Sequence, residues 1–298
     1  SLLVWPRVGI HAIWDVLIPA APALVVFAPG VWRNICPLGT TSQIARRFFR
    51  TSGFRLGSRT QAWVALTGII LLLVIVPLRH PWFNVSGTAT FILLVSAGVV
   101  ALVVGALTLG KSGWCAGLCP VHAVERLYGS RPCITVTSSH CAECVKCTAP
   151  CPDTSPGIRH GQGVRSVPKQ ISWAIIVGGF PGFVWGWFQV PDGGSVLSAT
   201  LWLWPFGGLL VTLLLWLLLT AALSQRDQCR LDAIFAAVAV STYYWFRIPA
   251  LIGYGEFGSD GMLVDLQGII PLWTVNAAKV LLAIVFLWWM VIQRAPKP

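Results

Sequence analysis

Residues 141–151 read CAECVKCTAPC and are followed by Pro152. The spacing C-x2-C-x2-C-x3-C-P is that of the bacterial ferredoxin segment that ligates [4Fe–4S] clusters. Thiolates two residues apart in a tight loop can face one cluster, and the proline after the fourth cysteine prevents the loop from continuing as a helix. In two-cluster ferredoxins this fourth cysteine ligates the second cluster. The stretch therefore predicts further cysteine ligands elsewhere in the chain.

The composition is that of an integral membrane protein. The 298 residues are 56% hydrophobic and 10% charged, with a mean hydropathy of +0.74. Polar side chains are too few to cover a soluble globule of this size. The net charge of +11 does not indicate nucleic-acid binding, because basic residues of membrane proteins collect in cytoplasmic loops. No signal-peptide pattern is visible from Ser1 onward.

Hydropathy predicts an all-α integral membrane protein with about seven transmembrane helices, since a span needs about 20 apolar residues. The predicted spans are residues 9–31, 61–79, 89–109, 171–190, 197–223, 231–253 and 269–293. We expect N-terminal transmembrane helices over 1–110, a cytoplasmic ferredoxin-like two-cluster insertion over 111–170 and a C-terminal four-helix transmembrane region over 171–298. Glycines of the fourth and fifth spans are expected at close helix contacts: Gly178, Gly179, Gly182, Gly186, Gly207 and Gly208.

Charge predicts the orientation of the spans. Seventeen of the 21 Lys and Arg residues lie in 32–60, 110–170, 224–231 and the C-terminal tail, and the positive-inside rule makes these segments cytoplasmic. The N-terminus is then outside and the C-terminus inside, in a bacterial inner (cytoplasmic) membrane. The segment RRFFR at 46–50 suits contact with anionic membrane lipids, and a solvated loop is the alternative.

Eight of the nine cysteines suit two [4Fe–4S] clusters, and all eight lie on the predicted cytoplasmic side. CAGLCP and NICPLG each end a predicted span in a Cys-Pro pair, and aligning Cys36 on Cys119 marks the two as a degenerate repeat. The predicted ligands are Cys36, Cys115, Cys119, Cys133, Cys141, Cys144, Cys147 and Cys151. By ferredoxin cross-ligation, one cluster takes Cys119, Cys141, Cys144 and Cys147, and the other takes Cys36, Cys115, Cys133 and Cys151. Cys229 is interpreted as a bystander thiol.

Other uses of the thiols fit less well. Disulfides are disfavoured on a reduced cytoplasmic face, zinc sites usually have paired C-x2-C units, and a c-type haem needs C-x2-C-H. His122 and His140 are expected to surround the clusters rather than to ligate them. Because segment 111–170 is too poor in apolar residues to form its own core, metal binding is expected to hold it together.

Charged side chains inside predicted spans are costly and mark ion pairs or functional sites. His11, Asp15, Arg247 and Lys279 all fall in the outer half of the predicted bilayer. A structural pairing of Asp15 with Arg247 or Lys279 is one interpretation. A quinone or proton-transfer site formed by these residues is the other.

Two further kinds of site are not expected. The loop VSGTAT at 85–90 is similar to Ser-Gly-Ala-Thr sites that carry covalent FMN, but the residue order differs and an upstream Asp is missing, so covalent FMN is unlikely here. The chain also lacks a Gly-rich phosphate loop and a Ser-His-Asp set, so the sequence does not support bond-making catalysis.

The motifs NICPLG, CAGLCPVHAVE and CAECVKCTAPCP follow one another in this order, with two predicted spans between the Cys-Pro pairs. On these motifs, residues 9–155 resemble the NapH/NosR-type membrane polyferredoxins. The resemblance implies electron transfer between the quinone pool and a periplasmic or extracytoplasmic redox partner, or electron supply for metalloenzyme maturation. The chain departs from that family because NICPLG lacks a leading cysteine, there is one complete ferredoxin run, and four more spans follow.

The sequence favours an iron–sulfur electron-transfer subunit of a quinone-linked oxidoreductase complex. An accessory reductase for metal handling or metalloenzyme maturation is a second hypothesis. A structural subunit whose clusters only brace the fold is a third.

Overall fold

A computed structural model describes residues 2–49, 53–109, 111–129, 132–139, 141, 166–258 and 260–293, apart from the side chains of residues 45–49 and 226. Over these residues the chain is helical or irregular, and its β-structure is one isolated bridge between Phe54 and Thr108. The all-α prediction is therefore confirmed for the described part of the chain.

Eleven helices follow one another along the described residues. They are α1 (Pro6–Phe27), α2 (Pro29–Ile35), α3 (Pro37–Phe49), α4 (Ser58–Phe83), α5 (Gly87–Leu107), α6 (Trp114–Leu118), α7 (Pro120–Tyr128), α8 (167–187), α9 (Ala199–Ala222), α10 (Gln225–Leu251) and α11 (Leu272–Gln293). Six of them are long and apolar enough to cross a membrane: α1, α4, α5, α9, α10 and α11. The chain thus has the helices of a multi-pass membrane protein.

The helix α8 covers the predicted span 171–190 but is not among these six. Glycine, tryptophan and proline occupy many of its positions, and they lower its hydropathy below that of its neighbours. Its core-facing side chains are nevertheless deeply buried, with Val177 and Phe183 at 0% and 1% exposure. The predicted count of seven spans is not confirmed.

The first helix ends at Phe27, earlier than the predicted residue 31. Ala28 has φ −145° and ψ 62°, which is outside the helical region. Pro29 explains this break, because a proline disfavours helical geometry at the preceding residue. Pro29 itself then occupies the first turn of α2, where its missing N–H has no helical partner to lose.

Short π-helical stretches interrupt or extend several of the described helices. They are His11–Leu17, Arg79–Phe83, Trp114–Leu118, Ala174–Gly179 and Trp288–Gln293. The first carries His11 and Asp15, and the third carries Cys115. Such stretches are frequent at functional sites. Two of them therefore agree with the choice of His11, Asp15 and Cys115 as candidate site residues from the sequence.

The chain divides into two compact units, which are described separately. The ion-pair unit comprises Ser1–Pro19, Ile75–Thr90 and Trp173–Pro298. The cysteine unit comprises Ala20–Val74 and Phe91–Ser172. The predicted division into segments 1–110, 111–170 and 171–298 stays a prediction.

The outer surface of α9 is apolar. Leu210, Val211, Leu214 and Leu218 are 55%, 67%, 58% and 71% exposed. Side chains of this kind on consecutive turns suit contact with hydrocarbon rather than with water. The surface therefore agrees with a membrane-spanning position for this helix.

Glycines allow α8 and α9 to pack backbone against backbone, as predicted, although the prediction is wrong for Gly207, which has open space beside it. A Cβ atom on Gly182 would collide with the carbonyl group of Gly208, and the reverse also holds. Thr212 adds a polar link, because its hydroxyl lies 3.2 Å from both the Gly182 amide nitrogen and the Gly179 carbonyl oxygen. Small residues and hydroxyl groups are typical of contacts between helices in membranes.

We predict that Gly182→Ala destabilises the protein by about 1–3 kcal/mol, since the added methyl group overpacks this contact. Gly207→Ala is the matched control, because nothing lies within 4 Å of a Cβ atom at Gly207. Thermal unfolding in detergent, followed by tryptophan fluorescence, compares the two variants. Equal stability of both variants would contradict the backbone contact.

Candidate metal centre and buried ion-pair cluster

Two Cys-Pro corners in the cysteine unit have the same backbone conformation. Cys36 follows α2 with φ −65° and ψ 113°, and Cys119 follows α6 with φ −62° and ψ 120°. Their prolines exclude the helical region at the cysteine and then begin the next helix, α3 after Cys36 and α7 after Cys119. The repeat proposed from the sequence is therefore seen in the backbone.

Each corner sulfur accepts hydrogen bonds from the helix that begins after it. The N–H groups of Gly39 and Leu38 donate to the sulfur of Cys36, and the N–H group of Val121 donates to that of Cys119. Such N–H groups in the first turn have no partner within the helix. They favour negative charge on the sulfur, as in a metal-bound thiolate.

Burial opposes ionisation of the thiols at and beside these corners. It raises the pKa of Cys115 to about 12, although the Ser42 hydroxyl, with its oxygen 3.7 Å from the sulfur, acts in the opposite direction. Burial also raises the pKa of Cys36 and of Cys119, and the charges of Cys115 and Cys36 raise that of Cys119 further. The three sulfurs thus lie within electrostatic range of one another. A bound metal ion would supply the positive charge that ionised thiols need here.

A buried lysine places positive charge beside these thiols. Lys111 is 5% exposed, and its Nζ donates a 3.1 Å hydrogen bond to Ser138 Oγ. Its charge lowers the pKa of Cys36 and Cys115 and so offsets part of the effect of burial. The carbonyl of Ser138 accepts from the N–H of Cys141 at 3.0 Å. Lys111 therefore connects the surroundings of the thiols to the start of the predicted ferredoxin run.

A buried ion pair between Arg33 and Glu125 joins the helices on either side of the corners, α2 and α7. Burial alone would raise the pKa of Glu125, but the neighbouring His122 and Arg33 hold it below its usual value. His122 is 5% exposed, and its Nδ1 lies 3.8 Å from Glu125 Oε2, which is too long for a hydrogen bond. Burial lowers the pKa of His122, so the ring is favoured in its neutral form.

Of the eight predicted ligands, Cys36, Cys115 and Cys119 lie within electrostatic range of one another. Cys133 and Cys141 are exposed. Outside the described residues lie Cys144, Cys147 and Cys151, and also His140. Within the described ranges, no three Cys, His, Asp or Glu side chains form a group that could hold a metal ion. The full ligand set and its partition between two clusters stay predictions.

Asp15 and Arg247 form an ion pair within the ion-pair unit. Both are deeply buried, at 5% and 4% exposure. Arg247 Nη2 also donates to the carbonyl oxygen of Trp14 at 3.0 Å, and His11 Nδ1 lies 2.5 Å from Asp15 Oδ2. The predicted pairing of Asp15 with a cation is therefore confirmed, with Arg247 as the partner.

A second buried guanidinium group, that of Arg79, lies between two tryptophan rings. Its Cζ is 4.4 Å from the ring centre of Trp14 and 4.8 Å from that of Trp187. Its Nε donates to Asn84 Oδ1 at 3.2 Å. Trp14 joins the two arginines, because its ring covers Arg79 and its carbonyl accepts from Arg247. The result is a connected, buried cluster of charged and aromatic groups.

Lys279 has a different partner from the one considered in the sequence. Its Nζ lies 4.5 Å from the centre of the Trp245 ring. This is the geometry of a cation–π contact, which is worth about 0.5–1 kcal/mol at an exposed site. The structure thus connects His11, Asp15 and Arg247 and gives Lys279 a separate contact.

The sequence analysis missed Arg79, His80, Asn84 and Asp192 as parts of this cluster. The predicted span 61–79 ended at Arg79, whereas α4 continues through Phe83 and carries Arg79 and His80 into buried positions. A basic pair at the end of an apolar run was the signal available. The partner Asp192 could not be inferred, because it lies 112 residues from His80 along the chain.

Thr90, the last residue of the segment 85–90, has a structural role. It is 0% exposed, its Oγ1 donates to the Phe83 carbonyl at 2.7 Å, and the same oxygen accepts from Trp14 Nε1 at 3.0 Å. The hydroxyl is engaged as both donor and acceptor, so it fixes the start of α5 against Trp14. The expectation that this segment carries no covalent FMN stays a prediction.

Comparison of the chain with protein-family models, with curated proteins and with solved structures finds no match. The resemblance to membrane polyferredoxins therefore rests on the cysteine motifs. The function has to be argued from the residues of the two sites.

We predict that Glu125→Ala destabilises the cysteine unit by about 3–5 kcal/mol, because it removes one partner of an ion pair that is largely shielded from water. The double variant Arg33→Met with Glu125→Leu removes both charges and should lose much less stability. Thermal unfolding in detergent measures both. If Glu125→Ala is as stable as the unaltered protein, the Arg33–Glu125 ion pair does not hold α2 to α7.

We expect Asp15→Asn to cost about 3–5 kcal/mol as well, since Arg247 remains buried and loses its charged partner. Lys279→Met is the control, and it should cost about 0.5–1 kcal/mol because it removes only a cation–π contact. Chemical unfolding in detergent compares the two. If both variants lose equal stability, the proposed difference between the two cations is wrong.

Proposed function

We propose that this chain is a membrane-bound iron–sulfur electron-transfer subunit that relays electrons between the quinone pool and a redox partner complex. The observation that carries the proposal is the pair of equivalent Cys-Pro corners at Cys36 and Cys119, with Cys115 within electrostatic range of both. Lys111, which acts on Cys36 and Cys115, donates to Ser138, and Ser138 accepts from the N–H of Cys141, where the ferredoxin run begins. Redox subunits of the same membrane complex are the proposed partners.

The chemistry of the donor set fits [4Fe–4S] clusters. Three buried thiols supply soft sulfur ligands, and N–H groups from the first turns of α3 and α7 point at two of the sulfurs. Two clusters would be held by Cys36, Cys115, Cys119, Cys133, Cys141, Cys144, Cys147 and Cys151. A bound cluster supplies reversible one-electron transfer.

The surrounding residues would set the properties of that site. The N–H groups at Cys36 and Cys119 and the hydroxyl of Ser42 stabilise negative charge on sulfur, which makes the site easier to reduce. The ammonium group of Lys111 acts in the same direction. Cys36, Cys115 and Cys119 are half-buried, so water has limited access to them.

We include α8 as a seventh span, with the cysteines on the cytoplasmic face. His80, at the end of α4, lies 2.6 Å from Asp192, which follows α8. This contact places the start of α5 and the end of α8 at the same face of the proposed bilayer. The chain leaves α5 at the opposite face, so in this proposal α8 returns it across the bilayer. Seven spans also fit an N-terminus outside and a C-terminus inside a bacterial inner membrane.

The quinone connection is supported by the resemblance to membrane polyferredoxins and by the buried cluster around Asp15 and Arg247. Charged groups buried within spans are usually functional or paired, and this cluster is built on π-helical stretches of α1 and α4. In a quinone-linked relay, His11 or Asp15 would accept protons, and Arg247 would fix the position of the Asp15 side chain through their ion pair.

Replacing single cysteines tests the proposal. We expect Cys119→Ser to lower iron and acid-labile sulfide on anaerobically purified protein by about half, because one of two clusters loses a ligand. Cys229→Ser is the matched control and should leave both values unchanged, since Cys229 is not among the proposed ligands. Equal iron content in the two variants would exclude Cys119 as a ligand. Purified protein that contains zinc instead of iron would contradict electron transfer and indicate a structural role for the metal.

A further inference from the structure

His80 is held between two acceptor oxygens in the ion-pair unit. Its Nδ1 lies 2.6 Å from Asp192 Oδ1, and its Nε2 lies 3.0 Å from the carbonyl oxygen of Trp187. A carboxylate and a carbonyl can only accept, so both contacts are hydrogen bonds when each ring nitrogen carries a proton. The geometry therefore fits an imidazolium ring beside an ionised Asp192. Deprotonation of the ring would break one of the two bonds.

The carboxylate of Asp192 is fixed by further donors. Asn84 Nδ2 lies 2.9 Å from its Oδ1 and 3.0 Å from its Oδ2. Asn84 is oriented in turn by Arg79, whose Nε donates to its Oδ1 at 3.2 Å. The backbone N–H of Asp192 donates to Asp260 Oδ2 at 2.8 Å. The acceptor facing His80 thus has a fixed position and orientation.

A small cavity of about 50 Å³, with both polar and apolar lining residues, adjoins this pair. The polar side chains that line it are those of His80, Asn84, Asp192, Arg247, Glu256 and Asp260. Its volume exceeds the ~10–15 Å³ that one water needs, and it offers several polar partners. The Nε of Arg247 is buried without a hydrogen-bond partner within the protein. Water is therefore the ligand that the cavity suits by size and polarity.

Charged groups of both signs surround His80. Asp192, Asp260 and Arg247 line the cavity with it, and the Asp15–Arg247 ion pair and Arg79 lie in the same unit. Of the other titratable groups, Glu256 is exposed at the rim, His11 contacts Asp15, and Tyr243 faces the two arginines.

We propose that His80 and Asp192 form a buried proton-binding site that exchanges its proton with water in this cavity. The site differs from the His11–Asp15 pair selected from the sequence, and its proton binding does not depend on iron–sulfur clusters. Its use rests on the proposed function. Quinol oxidation releases two protons together with two electrons, so a relay fed by quinol needs a proton acceptor.

Infrared difference spectra of the full chain in lipid nanodiscs, recorded between an acidic and an alkaline buffer, test this site. We expect a histidine signal coupled to a carboxylate signal in the unaltered protein. His80→Gln and Asp192→Asn should each abolish the coupled signal, because each removes one member of the pair. His11→Gln is the control that should retain it. An unchanged spectrum in His80→Gln would overturn the proposal, as would a His80 signal that persists in Asp192→Asn.

Labelling the unaltered protein with ¹⁵N-histidine keeps the test decisive if a variant does not fold. A carboxylate-coupled histidine band that shifts on labelling supports the site, and a pH-difference spectrum without such a band overturns it. The readout needs no electron transfer. A protein without iron would contradict the proposed function and would leave this result untouched.

Discussion

Burial in apolar surroundings penalises an isolated charge, and this penalty shapes both compact units. In the ion-pair unit, Arg247 pairs with Asp15, and Arg79 is enclosed by tryptophan rings and bound to Asn84. In the cysteine unit the same penalty raises the pKa of the buried thiols. In each unit, groups of opposite charge or aligned N–H dipoles offset the penalty of burying charge.

Under the proposed function, metal binding at the two Cys-Pro corners would offset this penalty. A thiol buried in this way keeps its proton until a metal cation replaces that proton. The iron atoms of iron–sulfur clusters bind cysteine sulfur in this way, as thiolate. Proline is the local cause, because it ends one helix at the cysteine and starts the next one with its N–H groups facing the sulfur. The site is thus prepared by backbone geometry that two short sequence motifs encode.

The features that depend on local sequence were predictable, and those that depend on distant contacts were not. Long apolar runs predicted the helices, and NICPLG and CAGLCP predicted two equivalent corners. A pairing of Asp15 with Arg247 or Lys279 followed from the cost of charge in a membrane, and Arg247 is the partner. The pair of His80 with Asp192 was missed because its members come from helix ends far apart in the chain. The segment 171–190 was predicted as a span; it is helical as far as Trp187, but its helix is not among the six that are long and apolar enough to cross a membrane.

The measurement that tests the central claim most directly is low-temperature electron paramagnetic resonance of anaerobically purified protein, first with dithionite and then with a quinol as the only reductant. The account predicts about eight iron atoms per chain, signals of two interacting reduced [4Fe–4S] clusters with dithionite, and partial reduction of the same clusters by quinol. Protein that contains zinc, or that has no cluster signal with dithionite, would contradict the account. Clusters that dithionite reduces and quinol does not would contradict the link to the quinone pool.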